Sequence, residues 1–264
     1  MELGIRGRTA MVAAASKGLG RAVAAALLRE GARVSIAARS QANLDAAERE
    51  LRAGAPGGEI LTVPIDVARA EDLARWHDLT RERFADPSLL VTSTGGPPAG
   101  RFQDLGEDQW RAGVDGVLMN VVRLCRLVLP AMRAARFGRI VHLTSFVAKQ
   151  PLGLLTISST LRAGLSALTK SMATELAPDG ITVNAVLPGH FRTDRQTEVN
   201  ELRAAALGIT RAQWEERLLA EIPARRFGDP GELAEVITFL ASERASYVTG
   251  TSIQVDGGLV GGTF

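Results

Sequence analysis

The alternation of short apolar runs with longer helical runs constrains this chain more than any other feature. Seven stretches have the composition of buried strands, at residues 9–14, 33–38, 59–63, 89–93, 139–145, 181–187 and 252–255. Six helical stretches separate them, at residues 20–30, 41–53, 71–84, 107–136, 158–177 and 230–241. Strands that alternate with helices in this way form a parallel sheet covered by helices on both faces. The pattern predicts an α/β fold, a three-layer α/β/α sandwich around a seven-stranded parallel sheet.

The length of the chain fits one large domain. Its 264 residues suffice for a complete hydrophobic core, and no linker-like stretch divides them, so we expect residues 1–264 to form a single domain. The segment 191–223 differs from the rest because it is polar and precedes the last helix–strand unit. Its position predicts a helical insertion that acts as a lid or as a substrate-binding loop.

Charge and hydropathy exclude several classes of partner. The net charge is +2 and the arginines are scattered along the chain, so no nucleic-acid partner is expected. No apolar stretch approaches the roughly 20 residues that span a bilayer, so no membrane partner is expected. The one cysteine, Cys125, lies in an apolar run and cannot form an internal disulfide, which fits a reducing compartment. Residues 1–7 do not resemble a secretory signal, and we expect a cytoplasmic protein.

A glycine-rich turn joins the first predicted strand to the first predicted helix. It reads Ala13-Ala14-Ala15-Ser16-Lys17-Gly18-Leu19-Gly20. Glycines let backbone N–H groups approach a pyrophosphate, and a helix N-terminus adds partial positive charge there. In doubly wound sheets ligands bind beyond the carboxyl ends of the strands, where this turn lies. The turn therefore predicts a Rossmann-type site for a dinucleotide.

Further motifs follow in a characteristic order. They are Asp66-Val67, Thr92-Ser93-Thr94-Gly95, Pro188-Gly189-His190-Phe191-Arg192-Thr193 and Val255-Asp256-Gly257-Gly258. With the glycine turn they resemble the short-chain dehydrogenase/reductase family, including its 3-oxoacyl-ACP reductase-like members, over nearly the whole chain. Ala14 stands where that family has glycine, which places an extra methyl group beside the cofactor's ribose.

The resemblance implies a set of cofactor-binding residues. They are Ala14, Ser16, Lys17, Gly18, Leu19, Gly20, Arg39, Asp66, Val67, Thr94, Gly95, Arg162, Pro188, Gly189, Phe191 and Thr193. An acid at the end of the second strand would bind a ribose 2′-hydroxyl, but Ala38 stands there and Arg39 follows it. Arg39 and Lys17 together favour the 2′-phosphate of NADP(H) over NAD(H). In the alternative, Arg39 only stacks on adenine and Lys17 is solvated.

The catalytic positions depart from the family pattern. The resemblance implies a serine that polarises a carbonyl, a tyrosine that donates the proton, a lysine four residues later and an asparagine upstream. Ser145 retains the serine position, whereas the tyrosine, lysine and asparagine positions hold Ser158, Arg162 and Val117. An aliphatic hydroxyl ionises far less readily than tyrosine, whose usual pKa is about 10. Arg162 keeps a positive charge that can bind ribose hydroxyls, but it does not relay protons as lysine does.

Other residues are candidate substitutes for the tyrosine. Lys149 and His190 are candidate proton donors near the predicted site, and Ser158 or Ser159 is a candidate for holding a water molecule. The alternative reading of Lys149 is a solvated or ion-paired side chain, and that of His190 is a polar loop residue. The only tyrosine, Tyr247, lies in a turn before the last strand and reads as structural, whereas His142 reads as a hydrogen-bonded core residue. No group of His, Cys, Asp and Glu residues has the spacing of metal ligands, so no metal is predicted.

Two functions fit these observations. The first is an atypical NADP(H)-dependent oxidoreductase that acts on a carbonyl, an alcohol or an activated enone and uses an unusual or water-mediated proton donor. The second is an NADP(H)-binding sensor or regulator without dehydrogenase activity. The partners expected are a small-molecule substrate and other copies of the chain, since helical stretches 107–136 and 158–177 resemble those through which family members form dimers and tetramers. In the alternative, these stretches are apolar core helices of a monomer, which would have a similar sequence pattern.

Overall fold

Seven parallel strands form one sheet in the computed structural model, which describes residues 2–263. In chain order they are β1 (Thr9–Ala13), β2 (Arg33–Ala38), β3 (Ile60–Pro64), β4 (Leu89–Thr92), β5 (Gly138–Leu143), β6 (Ile181–Pro188) and β7 (Ser252–Val255). The strand order is β3-β2-β1-β4-β5-β6-β7, so the direction of winding reverses between β1 and β4. The predicted Rossmann-type fold is confirmed, and the reversal marks where such sheets bind ligands.

The strands form here because their sequences are short, mainly apolar runs rich in β-branched residues. β1, β4, β5 and β6 are buried at every position, as expected for parallel strands covered on both faces. The register pairs Val12 of β1 with Ile36 of β2 and with Val91 of β4. These matched apolar positions place the carboxyl ends of the central strands side by side.

Nine α-helices accompany the sheet within the described residues. They are α1 (Gly18–Arg29), α2 (Gln41–Gly54), α3 (Ala70–Arg83), α4 (Glu107–Gly113), α5 (Asn120–Ala135), α6 (Thr156–Leu176), α7 (Asp194–Ala206), α8 (Arg211–Glu221) and α9 (Pro230–Leu240). One core cluster packs α1, α2 and α9 against one face of the sheet, and a second packs α3, α5 and α6 against the other. The predicted three layers are therefore present.

The middle of the predicted helix 107–136 is not regular. Val114–Met119 forms a stretch of wider π turns between α4 and α5. There the side chain of Asn120 donates a hydrogen bond to the Gly116 carbonyl, 3.0 Å away. This bond supplies a partner for a carbonyl oxygen in the stretch where the regular α-helical hydrogen bonds are interrupted. The prediction of one regular helix was wrong at this point, because the pattern of apolar residues does not distinguish α from π turns.

The segment 191–223, called the insertion below, contains α7 and α8, so its predicted helical character is confirmed. Thr193 and Thr210 begin these helices by accepting hydrogen bonds from the backbone N–H groups of Gln196 and Gln213.

Cys125 is buried, and burial raises the pKa of its thiol to about 12. Across residues 2–263, no helix is both long and apolar enough to span a bilayer.

Candidate active site

A cleft of about 480 Å³ opens beyond the carboxyl ends of β1 to β4. Its lining includes, among the predicted cofactor residues, Ala14, Ser16, Lys17, Arg39, Asp66, Val67 and Gly95. These residues come from four separate segments of the sequence and meet because the parallel strands end at the same edge. The cleft is large enough for much of a dinucleotide.

The glycine turn has the geometry of a phosphate cradle. Gly18 begins α1 with φ +55°, and a Cβ added at Gly20 would lie 2.7 Å from the Ala14 carbonyl oxygen. Gly20 is therefore required by the close approach of helix and strand. The Leu19 side chain is half-buried and packs against the core, so only its backbone remains for a cofactor. Ala14 itself has φ +50°, a left-handed conformation that costs residues with a Cβ about 1–2 kcal/mol.

Two cations meet in the cleft without a carboxylate partner. Lys17 and Arg39 are exposed, line the cleft, and form no ion pair with any residue in the described range 2–263. Ala38, the last residue of β2, also lines the cleft and stands at the position where an acid would repel a phosphate. Sequence reasoning missed Asn43, which also lines the cleft one turn into α2. Its place four residues after Arg39 is the sequence feature that could have revealed Asn43 as a cleft residue.

The far wall of the cleft is held by local hydrogen bonds. The Asp72 carboxylate accepts from the Asp66 backbone N–H at 2.8 Å, and the Asp66 carboxylate accepts from the Ala68 N–H at 3.0 Å. These bonds fix the loop that carries Asp66 and Val67. Thr94 follows β4, and its buried Oγ1 has no partner in the described structure. An oxygen left in this state marks a place where a bound ligand can supply the missing hydrogen bond.

Ser145 follows β5 and begins a short helical turn. Its Oγ accepts from the Val147 N–H at 3.4 Å, a long bond that still leaves the hydroxyl hydrogen free to donate. A free O–H at the carboxyl end of a central strand is suited to polarise a carbonyl oxygen.

Ser158 and Arg162 face each other on α6. The Arg162 Nε donates to Ser158 Oγ at 3.1 Å, and each residue is 7% exposed. Burial lowers the pKa of Arg162 to about 10, and no carboxylate among residues 2–263 forms an ion pair with it. A buried guanidinium without a counter-ion is costly, so this position favours a ligand that is anionic or rich in hydroxyl groups.

The other candidate donors lie in different settings. Lys149 does not project freely, because its Nζ donates to Gln254 Oε1 of β7 at 3.1 Å. Tyr247 is fully exposed in the turn before β7. Ser159 is buried, and its Oγ has no partner within the described chain. Val117 is buried in the π-turn stretch and lines the cleft with its apolar side chain.

The loop after β6 is the last predicted part of the site. Gly189 is required by close packing, since an added Cβ would lie 2.7 Å from Asp256 Cβ. Pro188 ends the buried strand β6, and Thr193 caps α7. The Phe191 side chain is buried in the core, so only its backbone remains for a cofactor. His190 is half-buried and bonded to Gln196 of the insertion, a contact that sequence reasoning missed.

The structure also describes the core histidine and the side chains that could bind a metal. His142 is fully buried in β5 and hydrogen-bonded to Thr92 at 2.9 Å, as expected, and burial lowers its pKa to about 4. Among residues 2–263, no three His, Cys, Asp or Glu side chains are grouped as a metal site would require.

Comparison with known proteins decides the family. A family model described as enoyl-(acyl carrier protein) reductase matches residues 13–260, nearly the whole chain. The chain belongs to the short-chain dehydrogenase/reductase family. It is similar to the 3-oxoacyl-(acyl-carrier-protein) reductase FabG of Pseudomonas aeruginosa, with 33% identity over 97% of this chain and 99% of the relative. By family it is an oxidoreductase of carbonyl or alcohol groups.

Two solved structures that resemble this chain bear on the site. L-sorbose reductase from Gluconobacter frateurii, solved with NADPH and L-sorbose, is 32% identical with a TM-score of 0.93, covering 98% of each chain. A short-chain oxidoreductase from Pseudomonas aeruginosa, described as containing an atypical catalytic center, is 32% identical with a TM-score of 0.89, covering 97% of this chain and 98% of that one.

Proposed function

We propose that this chain is an NADP(H)-dependent oxidoreductase that reduces a carbonyl group or an activated enone of a small molecule. The observation that carries the proposal is the pair of unpaired cations, Lys17 and Arg39, in the cleft at the switch point of the sheet. Arg39 can fork onto a 2′-phosphate, and Lys17 adds a second charge. The reductase from Gluconobacter frateurii, solved with NADPH, supports the same cofactor.

The residues present fit a nicotinamide dinucleotide. Gly18 and Gly20 lie in the turn that begins α1, where backbone N–H groups can bind a pyrophosphate. The buried oxygen of Thr94 has no hydrogen-bond partner, and the buried guanidinium of Arg162 has no counter-ion, among residues 2–263. A bound NADPH supplies a hydride to the substrate. We assign Arg162 to the ribose hydroxyls and Pro188, Gly189, Phe191 and Thr193 to the nicotinamide end, the latter largely through their backbones.

Ser145 and Arg162 prepare the reacting oxygen. The free hydroxyl of Ser145 donates to the carbonyl oxygen, and the fixed charge of Arg162 stabilises negative charge that develops there. Ser158 or Ser159 holds a water molecule in the space that a tyrosine ring would fill. The insertion closes over the substrate as a lid on a single domain, residues 1–264.

A second function is favoured by one observation, the replacement of the family's tyrosine and asparagine by Ser158 and Val117. A chain with these residues can bind NADP(H) as a sensor or regulator and transfer no hydride. The atypical catalytic center of the Pseudomonas aeruginosa oxidoreductase belongs to that protein, and it supports the view that this family tolerates altered centres.

Fluorescence titration with NADPH and NADH, followed by a panel of ketones, enones and quinones, tests the proposal. We expect tighter binding of NADPH and oxidation of the bound cofactor by at least one class of substrate. Ser145→Ala should lower kcat about 10²-fold without changing the affinity for NADPH. Tight binding without oxidation on the whole panel would favour the sensor, and absence of NADPH binding would contradict both functions.

We further propose that the protein acts in the cytoplasm as a homodimer or homotetramer. The exposed face of α6 carries small side chains, including Ala163, Gly164, Ala167 and Ser171, on which another helix can pack closely. The reading agrees with the oligomers that the family resemblance implies. Light scattering that gives the mass of one subunit would contradict it.

A further inference from the structure

A chain of hydrogen bonds runs from the insertion to His190. Glu215 of α8 accepts from the Asn200 side chain at 3.1 Å, and Asn200 accepts from the Gln196 side chain at 2.8 Å. Gln196 in turn contacts His190 Nδ1 at 3.2 Å. Asn200 is 1% exposed, and Arg211 lies 3.6 Å from the Glu215 carboxylate. The chain is therefore anchored on an ion pair between α8 residues.

The carboxylate fixes the direction of every bond in this chain. An ionised carboxylate only accepts hydrogen bonds, so Asn200 turns its NH₂ group to Glu215 and its oxygen to Gln196. Gln196 must then donate its NH₂ group to Asn200 and turn its oxygen to the histidine. His190 Nδ1 therefore carries a hydrogen, and the neutral ring has its lone pair on Nε2.

His190 lies beside the segment that carries Ser145. Its ring centroid is 5.4 Å from that of Phe146, the residue after Ser145, and 6.3 Å from that of Phe227. β5 and β6 are adjacent parallel strands, with Leu143 opposite Val186, so both loops emerge at the same edge. The Nε2 atom makes no hydrogen bond within the described chain, and it is not among the buried atoms that lack partners. It is therefore open to a ligand.

Several charged groups surround this ring. Burial lowers the pKa of His190 below its usual 6.5, while the bond to Gln196 and the charge of Glu221 raise it. Arg226, Glu232 and Asp256 line the same recess as His190. The bond to Gln196 is the main influence that favours the protonated ring, and the negative charge of Glu221 adds a smaller one.

We propose that His190 is the proton donor of the reaction, and that Gln196, Asn200 and Glu215 of the insertion are positioning residues that hold it as the Nδ1–H tautomer. This inference rests on the proposed carbonyl reduction with NADPH. The substrate carbon receives the hydride, the C=O π electrons move to the oxygen, and that oxygen takes the proton from Nε2. The products are the alcohol, NADP⁺ and a neutral imidazole.

The direction of the chain suits this step. Loss of the Nε2 proton leaves the hydrogen on Nδ1, which is the tautomer that the Gln196 oxygen already accepts. No side chain has to rotate during proton transfer, which is the advantage of a preorganised donor. The insertion that carries Gln196, Asn200 and Glu215 therefore also holds the donor in place.

The first test reads the tautomer directly by ¹⁵N NMR of the imidazole in the whole protein, without cofactor. We expect neutral His190 to have its hydrogen on Nδ1, and Gln196→Met to produce a mixture of tautomers. Gln213→Met is the matched control, because Gln213 caps α8 of the same insertion without touching His190. An Nε2–H tautomer in the wild type, or an unchanged tautomer in Gln196→Met, would overturn the positioning claim.

The second test is the pH profile of kcat/KM for carbonyl reduction. The donor form is the protonated ring, so the rate should rise as pH falls toward a midpoint below 6.5 that matches the His190 pKa measured by NMR. His190→Asn should abolish this dependence of kcat/KM on pH and should lower kcat about 10²-fold, with the KM for NADPH unchanged. Gln196→Met should move the midpoint of the pH profile to lower pH, because it removes the hydrogen bond that raises the pKa of His190. Gln213→Met should leave the midpoint unchanged.

The two tests separate this inference from the proposed function. Hydride transfer that persists in His190→Asn with the same pH profile would leave the function standing and overturn the donor. NADPH binding with no hydride transfer in the wild type would overturn the function and the donor together, while the NMR result would still decide the role of the insertion.

Discussion

Arg162 donates through Nε to the hydroxyl of Ser158, 3.1 Å away and one helical turn earlier on α6. Both side chains are buried, and the guanidinium has no carboxylate partner among residues 2–263. A fold does not bury a lone cation for stability, since desolvation opposes it. We infer that a bound ligand supplies the missing negative charge, so replacing Arg162 should affect stability and binding in opposite directions.

Arg162→Met should raise the free energy of unfolding of the cofactor-free protein by about 1–4 kcal/mol, because an uncompensated buried charge is replaced by an apolar side chain of similar length. The same variant should weaken NADPH binding about ten- to hundredfold, the usual effect of losing a charged donor. Denaturant unfolding and fluorescence titration measure the two effects. Arg126→Met, at an exposed position of α5, is the control. Lower stability with unchanged affinity would assign the guanidinium a structural role.

Arg39→Asp should reverse the cofactor preference. Its carboxylate would repel a 2′-phosphate and bind a ribose 2′-hydroxyl, so NADPH affinity should fall about ten- to hundredfold while NADH affinity rises. Arg49→Asp, an exposed substitution on α2 outside the cleft, should change neither constant. Unchanged NADPH affinity in Arg39→Asp would mean that Arg39 only stacks on adenine or is solvated.

Ala14→Gly should relieve backbone strain at the mouth of the cleft. The left-handed conformation at φ +50° costs alanine about 1–2 kcal/mol, and the added freedom of glycine in the unfolded chain offsets about 0.4–1 kcal/mol of the gain. Thermal unfolding should therefore show a small stabilisation, and NADPH should bind a few-fold more tightly. Arg136→Gly, at φ +49° outside the cleft, relieves the same strain but loses the hydrogen bond from its guanidinium to the Pro178 carbonyl, and it should not change NADPH affinity. Equal NADPH affinities in Ala14→Gly and the wild type would show that the methyl group does not meet the cofactor.

His142 should make the fold sensitive to acid. Above pH 6.5 the His142 ring is neutral in the folded and the unfolded state, so it does not make the free energy of unfolding depend on pH. Below pH 6.5 the unfolded chain binds a proton at this ring, whereas the folded chain, in which burial lowers the His142 pKa to about 4, does not. Stability is therefore lost between pH 6.5 and about 4, by about 3 kcal/mol in all. Urea unfolding across this range should show the loss, and His142→Thr should reduce it. An identical pH dependence in that variant would exclude His142 as its source.

Much of the fold follows from local sequence, and part of the site does not. The strands are predictable because each is a short, mainly apolar run, and the place of Ala14, Lys17, Arg39 and Asp66 at the cleft is predictable because each closely follows such a run. The contact of Lys149 with Gln254 joins residues 105 positions apart, so no local pattern reveals it.

The hydrogen-bond chain to His190 was missed for a related reason. Gln196 and Asn200 are one turn apart on α7, which a helical pattern allows. Their connection to Glu215 depends on how α7 packs against α8, and that packing is not a property of either segment alone. Polar residues in an exposed-looking insertion therefore gave no sign that they converge on one side chain.

The transfer of deuterium from labelled NADPH into product tests the central claim most directly. The purified protein is incubated with deuterated NADPH and the panel of ketones, enones and quinones, and the products are analysed by mass spectrometry. The account predicts deuterium on the former carbonyl or enone carbon of at least one product, and far less with Ser145→Ala. Saturating NADPH binding with no labelled product from any substrate would contradict it.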